Sequence, residues 1–267
     1  MQLSKEYNLG LVLSGGAARG FAHPGVIKAL HEFDMNPDII SGTSAGAIAG
    51  CFYADGYEPE EILELFKGKR FLDFTRLRIA TTGLLEVSGL KKLLKKNIRA
   101  KSFDALQREL VVCVTNFRTG MAEYLSQGDL IEAVIASASI PALFTPVRIN
   151  GDHYIDGGVV DNFPIFPIKD RCKDLVGVVV NTVGEETGRI SIVSISIRSF
   201  QLSMSSEVKH KKGLVDIYIE PEKLKSYSFM DVKSGPEMFE IGYNEAKEIL
   251  SKRAPIISTL QERKSAP

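Results

Sequence analysis

Two glycine-rich segments, each placed directly after a short apolar run, constrain the fold of this chain more than any other feature. The first segment, residues 14–20, follows the apolar run at residues 8–13. The second, residues 42–46, follows a similar run at residues 38–41. Short apolar runs of this kind suit strands that are buried on both faces of a parallel sheet. Because helix-forming residues follow each glycine-rich segment, the pattern predicts two strand–loop–helix units.

The rest of the chain continues this alternation. Further strands are predicted at residues 110–115, 175–180 and 215–219, and helices begin near Pro24 and cover 44–53, 129–136, 198–210 and 236–250. Asn150-Gly151 between alternating residues predicts a hairpin turn. We therefore expect one α/β domain over residues 1–267, with a mainly parallel central sheet, helices on both faces and a mobile tail at 251–267.

Composition excludes several classes of protein. The 267 residues carry 33 basic and 33 acidic side chains, so the net charge of zero does not favour a nucleic-acid binder. Three widely spaced cysteines provide neither a disulfide framework nor a zinc site. Residues 1–10 lack the apolar core of a signal peptide, and no stretch approaches the roughly 20 apolar residues that span a bilayer. We expect a cytoplasmic protein that meets a membrane only peripherally, and its oligomeric state stays open.

The second glycine-rich segment, Gly42-Thr43-Ser44-Ala45-Gly46, is a G-x-S-x-G sequence between a predicted strand and a predicted helix. In this setting the glycines permit a strained turn from which Ser44 projects as a nucleophile. The N–H of Ala45, at the start of the helix, is placed to stabilise an oxyanion. An ordinary strand–helix turn is the alternative.

The first segment, Ser14-Gly15-Gly16-Ala17-Ala18-Arg19-Gly20, offers backbone N–H groups unobstructed by large side chains. Such groups stabilise developing negative charge. A nucleotide-binding loop is the main rival. The dinucleotide pattern fails because position 17 is alanine, and the P-loop pattern fails because Phe21 and Ala22 replace its Lys-Ser/Thr pair. A tight turn remains the other alternative.

A third segment, Asp156-Gly157-Gly158, is a weak signal by itself and is most simply a turn. Asp152 and Asp161 are competing acids nearby. An ordinary α/β-hydrolase would need a histidine after the acid. Only His210 of the four histidines meets that condition, and it lies in a basic run without any other catalytic signal.

Together, the three segments resemble the patatin-like phospholipases, a family of serine lipid acyl hydrolases. The similarity extends to residues 136–141, 144–147 and 161–164, and it covers the chain from about residue 9 to about 246. The order of three motifs is more specific than any one of them.

The resemblance implies that Ser44 is the nucleophile and that Asp156 is its partner in a catalytic dyad. It further implies that the backbone of Gly15, Gly16 and Ala17 forms the oxyanion hole, with Arg19 at the family's basic position; no cofactor or metal is implied.

Ala17 departs from the family pattern, which has a third glycine there. Its methyl group is expected either to narrow the approach of a substrate carbonyl or to require a negative φ.

The mechanism implied by the resemblance is hydrolysis of a lipid ester, from a phospholipid or lysophospholipid, through an acyl-enzyme. An aspartate with an ordinary pKa near ~4 is a weak base at neutral pH. A catalytic role therefore requires a higher pKa, and we expect partial desolvation to raise the pKa of Asp156. Two alternatives stay open: a soluble carboxylesterase or thioesterase, and a catalytically idle lipid-binding protein on the same fold.

Two amphipathic stretches remain. Residues 90–96 place leucines on one helical face among four lysines, which suits either an interfacial helix or, as we favour, a helix packed on the core. Residues 59–67 form either a mobile helix over the site or an ordinarily packed one.

Overall fold

In the computed structural model, both glycine-rich segments follow strands of a central sheet. The structure describes residues 7–74, 76–80, 83–185 and 190–253. The described strands are β1 (Tyr7–Leu13), β2 (Ile39–Thr43), β3 (Arg76–Ala80), β4 (Gly83–Glu86), β5 (Glu109–Asn116), β6 (Ala122–Leu125), β7 (Val147–Ile149), β8 (Asp152–Asp156), β9 (Cys172–Val178) and β10 (Ile217–Ile219). The described α-helices are α1 (Ala22–Glu32), α2 (Ala45–Ala54), α3 (Pro59–Phe66), α4 (Ser88–Asn97), α5 (Leu130–Ser137), α6 (Phe166–Lys169), α7 (Ile192–Lys209) and α8 (Gly235–Lys252).

The order of the strands brings the sequence motifs to one edge. The sheet runs β10-β9-β1-β2-β5-β8-β7, with β6 also paired to β5. The neighbours from β10 to β5 are parallel, whereas β8 and β6 run antiparallel to β5, so the prediction of a mainly parallel sheet is confirmed. Because parallel strands end at the same edge, the segments that follow β1 and β2 converge there.

Alternate residues of β1 face two separate cores. Leu11 and Leu13 belong to the larger cluster, which includes buried side chains of α1, α2, α5 and α8. Val12 belongs to a smaller cluster with Phe163, Ile168 and Val208. Both faces are therefore covered, as a parallel sheet requires.

The predicted elements lie within a few residues of their expected places, with one clear difference. The helix expected at 198–210 begins earlier, at Ile192, because Ser191 and Ser194 form a capping box. The hairpin is confirmed: Asn150 and Gly151 both have positive φ, at 50° and 96°.

Two further expectations concern the helices. In α4, Leu90 and Leu94 are buried, which confirms the core-packed interpretation of residues 90–96. Helix α8 continues to Lys252, so the first residues of the expected tail are helical, and residues 254–267 lie outside the described residues. None of the helices in the described ranges combines the length and apolarity that crossing a membrane requires.

Candidate active site

Ser44 sits on a strained turn between β2 and α2. Its φ of 53° and ψ of −118° lie outside the regions that non-glycine residues ordinarily adopt. The flanking glycines are needed for space: a Cβ at Gly42 would lie 2.7 Å from the backbone of Gly46, and a Cβ at Gly46 would collide with the Leu13 carbonyl. The sequence thus folds into the sharp turn that the G-x-S-x-G pattern predicts.

A second serine holds this turn in place. The Ser44 N–H donates to Ser137 Oγ at 2.8 Å, and the Ser137 hydroxyl donates to the Cys113 carbonyl at 2.6 Å. These bonds tie the turn to the end of α5 and to β5. Sequence reasoning missed this role, because residues 136–141 entered only as part of a resemblance.

Asp156 ends β8 beside Ser44 and is fully buried. Its Oδ1 accepts a hydrogen bond from the Gly158 N–H at 2.8 Å, while Oδ2 accepts none of ordinary geometry from the described residues. Burial raises the pKa of Asp156 to about 7, although interactions with the Ser44 hydroxyl and the Gly158 N–H act to lower it. The expectation that desolvation raises this pKa is confirmed, and the carboxyl is poised to exchange a proton near neutral pH.

The N–H of Gly15 is already engaged. It is shared between Oδ1 and the backbone carbonyl of Asn162, at 3.1 and 3.3 Å. Gly15 is tightly packed as well, because a Cβ there would lie 2.5 Å from Asn162 Oδ1 and 3.1 Å from Ser44 Cβ. Gly15 therefore brings the loop close to Ser44. Its N–H, which the resemblance assigns to the oxyanion hole, is bonded to Asn162 in this structure.

Backbone N–H groups without an acceptor follow Gly15 in the loop. Within the described residues, the N–H groups of Gly16 and Ala17 donate to no acceptor, and neither does that of Ala45 at the first position of α2. Ala17 has a φ of 48°, so the second of the two alternatives for its methyl group, a requirement for a negative φ, is wrong. The loop imposes a left-handed conformation there at a cost of about 1 kcal/mol.

Arg19 is directed away from the cleft described below. Its buried guanidinium donates to the Tyr227 carbonyl from Nε and Nη2, at 3.2 and 2.7 Å, and to the Thr182 carbonyl from Nη1. Arg19 therefore ties the glycine-rich loop to two distant segments. Its side chain does not line the cleft that contains Ser44.

An apolar cleft opens at Ser44, and the space along its walls, including the part open to solvent, is about 820 Å³. Ser44, Ala45 and Ala17 form part of its wall. The remaining lining is apolar side chains and backbone from several elements, including Ile48, Ile62, Phe66, Leu90, Ile140 and Phe144. Helix α3 contributes Ile62 and Phe66 to the wall, and Ile62 is buried in the larger core, as ordinary packing predicts. Among the described residues, no charged side chain lines the cleft.

The histidines do not contact the pair. His23 is buried, interacts with the Ser14 carbonyl through Nε2 at 2.8 Å and has its pKa lowered to about 4 by burial. His31 bonds to the hydroxyl of Tyr53. His153 and His210 are exposed. Within the described residues, therefore, no histidine is placed to act on Ser44.

The two competing acids are paired with cations. Asp152 forms an ion pair with Arg118 at 3.1 Å on the surface. Asp161 is buried and accepts from Lys211 Nζ at 2.6 Å and from the Tyr124 hydroxyl at 2.7 Å. Lys211 also pairs with Glu207. Sequence reasoning did not anticipate this cluster, because its members are distant along the chain.

Comparisons with known proteins agree with the geometry. A family model described as patatin-like phospholipase matches residues 11–168. Lysophospholipase nte1 of Emericella nidulans is 27% identical over 284 aligned residues, covering 91% of this chain and 18% of that protein. The Kluyveromyces lactis lysophospholipase is 26% identical over 294 residues, covering 97% and 20%. The chain thus spans about a fifth of the length of these relatives.

Among solved structures, VipD from Legionella pneumophila matches with a TM-score of 0.54 and 18% identity, over 92% of this chain and 67% of that one. At this identity the likeness concerns the fold, and it agrees with the α/β architecture described above.

Proposed function

Because the chain belongs to the patatin-like phospholipase family, we propose that it is a serine hydrolase of lipid acyl esters, with Ser44 as nucleophile and Asp156 as general base. The observation that carries this proposal is the fully buried Asp156 carboxyl beside the strained serine, with an Oδ2 that accepts no hydrogen bond of ordinary geometry from the described residues. A buried carboxyl without a compensating cation reduces stability, and such arrangements are characteristic of catalytic sites.

The geometry supports a two-step mechanism. Asp156 accepts the proton of Ser44 Oγ as that oxygen attacks the ester carbonyl carbon. The free N–H groups of Gly16 and Ala17, with that of Ala45, stabilise the oxyanion. The alcohol leaves with the proton from Asp156, and an acyl-enzyme remains. Asp156 then accepts a proton from water, whose oxygen attacks the acyl carbon, and Ser44 regains a proton as the fatty acid leaves.

The cleft favours a long acyl chain. The described part of its wall is apolar and carries no charged side chain, so it suits a hydrocarbon chain better than a polar head group. We therefore propose phospholipids or lysophospholipids as the substrate class, with the head group in solvent. The names of the curated relatives support the lysophospholipid choice.

Labelling with a fluorophosphonate probe tests the nucleophile. We expect the wild-type protein to be labelled and Ser44→Ala to be unlabelled, with ester hydrolysis reduced by several orders of magnitude. Ser139→Ala is a matched control, because this buried serine donates to the Ile135 carbonyl and has no catalytic role in the proposal. Labelling of Ser44→Ala at the wild-type level would contradict the proposal. A wild-type protein that binds fatty acid without being labelled would indicate the idle lipid-binding alternative.

Hydrolysis rates on p-nitrophenyl esters from acetate to palmitate test the substrate class. We expect kcat/KM to rise with chain length, because each added methylene that enters the cleft contributes up to about 0.8 kcal/mol. A steep preference for acetate would instead favour a soluble carboxylesterase.

A further inference from the structure

The outer face of α7 exposes a row of large apolar side chains. Ile192, Ile195 and Leu202 are 85%, 54% and 49% exposed. At 100° per residue, these three and the exposed Ser199 and Ser206 fall within an arc of roughly 80°. A stripe of this kind normally faces a core, but here no described residue covers it.

The opposite face of α7 already provides the packing. Met204 and Val208 are buried in the two cores, and Gln201 is buried as well. The helix is therefore anchored without its outer stripe. Exposed leucine and isoleucine side chains along one face of a helix increase the free energy of the protein in water and mark interaction surfaces.

A second pair of exposed apolar side chains follows the candidate base in the chain. The turn Gly157–Val159, which follows Asp156 directly, packs against α7. It leaves Val159 and Val160 exposed. Val159 thus lies three residues along the chain from the candidate base.

The charges around this surface indicate its partner. Within α7 the charged residues are Arg198, Glu207 and Lys209. Glu207 lies outside the arc of the exposed stripe and pairs with Lys211. At the end of the helix, Lys209 and Lys212 are exposed. An apolar face without acidic side chains, followed by cations, is complementary to a bilayer that contains anionic phospholipid.

We propose that the outer face of α7, together with Val159 and Val160, docks on an anionic phospholipid surface. The helix lies in the plane of the interface, with Ile192, Ile195 and Leu202 inserted among the acyl chains. This inference rests on the proposed function, because docking there brings the candidate site to a surface that supplies lipid esters.

Co-flotation with vesicles of phosphatidylcholine and phosphatidylserine tests the docking surface. The Ser44→Ala background keeps the vesicles intact, so binding is measured independently of catalysis. We expect Ile192→Ser/Ile195→Ser/Leu202→Ser to lower the partition coefficient roughly tenfold or more, since three apolar contacts are lost. The matched control is Phe166→Ser on α6, where Phe166 is 55% exposed, and it should stay within about twofold of its parent.

The same variants separate the two proposals. With Ser44 present, the triple variant should hydrolyse a soluble short-chain ester at the wild-type rate and vesicle phospholipid more slowly. Docking on α7 is wrong if the triple variant binds vesicles like its parent, or if the parent does not bind them. It is also wrong if sedimentation shows a dimer that the triple variant dissociates, because a second copy then covers the face. If binding behaves as expected but no ester is cleaved, the proposed function fails and the docking surface stands.

Discussion

Asp156 and Asp161 are buried aspartates five residues apart, yet their surroundings are opposite. Asp161 accepts from the Lys211 ammonium, the Tyr124 hydroxyl and the Phe163 N–H, so each of its oxygens is paired. Among the residues that the structure describes, the Asp156 carboxyl interacts with the Gly158 N–H and the Ser44 hydroxyl and pairs with no cation. A compensated buried charge maintains a structure, whereas an uncompensated one destabilises it and is available for chemistry.

The contrast predicts opposite outcomes for the same substitution at the two positions. Asp156→Asn preserves size but removes the proton acceptor, so we expect kcat/KM to fall about 10³-fold. Asp161→Asn leaves Asp156, the proton acceptor, unchanged, so we expect activity to stay within about tenfold of wild type. Hydrolysis of one chromogenic ester by both variants, each first shown to be folded by circular dichroism, measures the difference. A larger loss in Asp161→Asn would reverse the roles.

Removing the cation should make Asp161 resemble Asp156. Lys211→Met leaves the buried Asp161 and the half-buried Glu207 without their positive partner, so we expect the free energy of unfolding to fall by about 3 kcal/mol or more. Urea denaturation measures the change. Lys209→Met is the matched control, because Lys209 is exposed, and it should alter stability by less than about 0.5 kcal/mol. Equal effects would show that the buried pair contributes nothing specific.

The candidate base should also reveal itself through the pH dependence of stability. The folded state raises the pKa of Asp156 to about 7, above an unfolded value near ~4, so the folded state binds the proton more tightly. Its contribution to stability is present below pH ~4 and is lost as pH rises to about 7. Asp156→Asn does not lose stability in this way, because asparagine has no proton to release in this pH range.

We therefore expect Asp156→Asn to be more stable than wild type by about 2–4 kcal/mol at pH 8, with the advantage shrinking at pH 5. Urea unfolding at both pH values measures it. A pH-independent difference would mean that Asp156 does not titrate in this range.

The smallest effects are expected at the histidines. Activity should stay within about twofold in His153→Ala and His210→Ala, because both side chains are exposed and neither contacts the candidate pair. His31→Ala and His23→Ala should lose stability but retain activity, since their bonds are to Tyr53 and to the Ser14 carbonyl. Loss of activity in a well-folded histidine variant would instead support a Ser–acid–His triad.

The sequence predicted what depends on local pattern. Alternating apolar runs and glycine-rich segments indicated the parallel sheet and placed Ser44 on a turn, because close backbone approach leaves a signature of small residues. The start of α7 was not predicted, because several serines near Ser191 could each act as the N-cap residue.

What was missed depends on contacts between distant segments. The use of the Gly15 N–H by Asn162, the support of Ser44 by Ser137 and the pairing of Asp161 with Lys211 each join separate elements. No spacing rule along one chain encodes them. The raised pKa of Asp156 was expected from the chemistry that the resemblance implies, whereas the burial that causes it is a property of the assembled fold.

The close approach of the two glycine-rich segments has a consequence for engineering. A Cβ at Gly20 would lie 2.5 Å from Ala45 Cβ, one at Gly15 would crowd Ser44, and one at Gly46 would meet Leu13. The side chains that one loop can accept therefore depend on the side chains present in the other. A mutagenesis library that randomises one loop alone would return mainly the parental glycines, whereas new shapes of the site become accessible only when both loops are varied together.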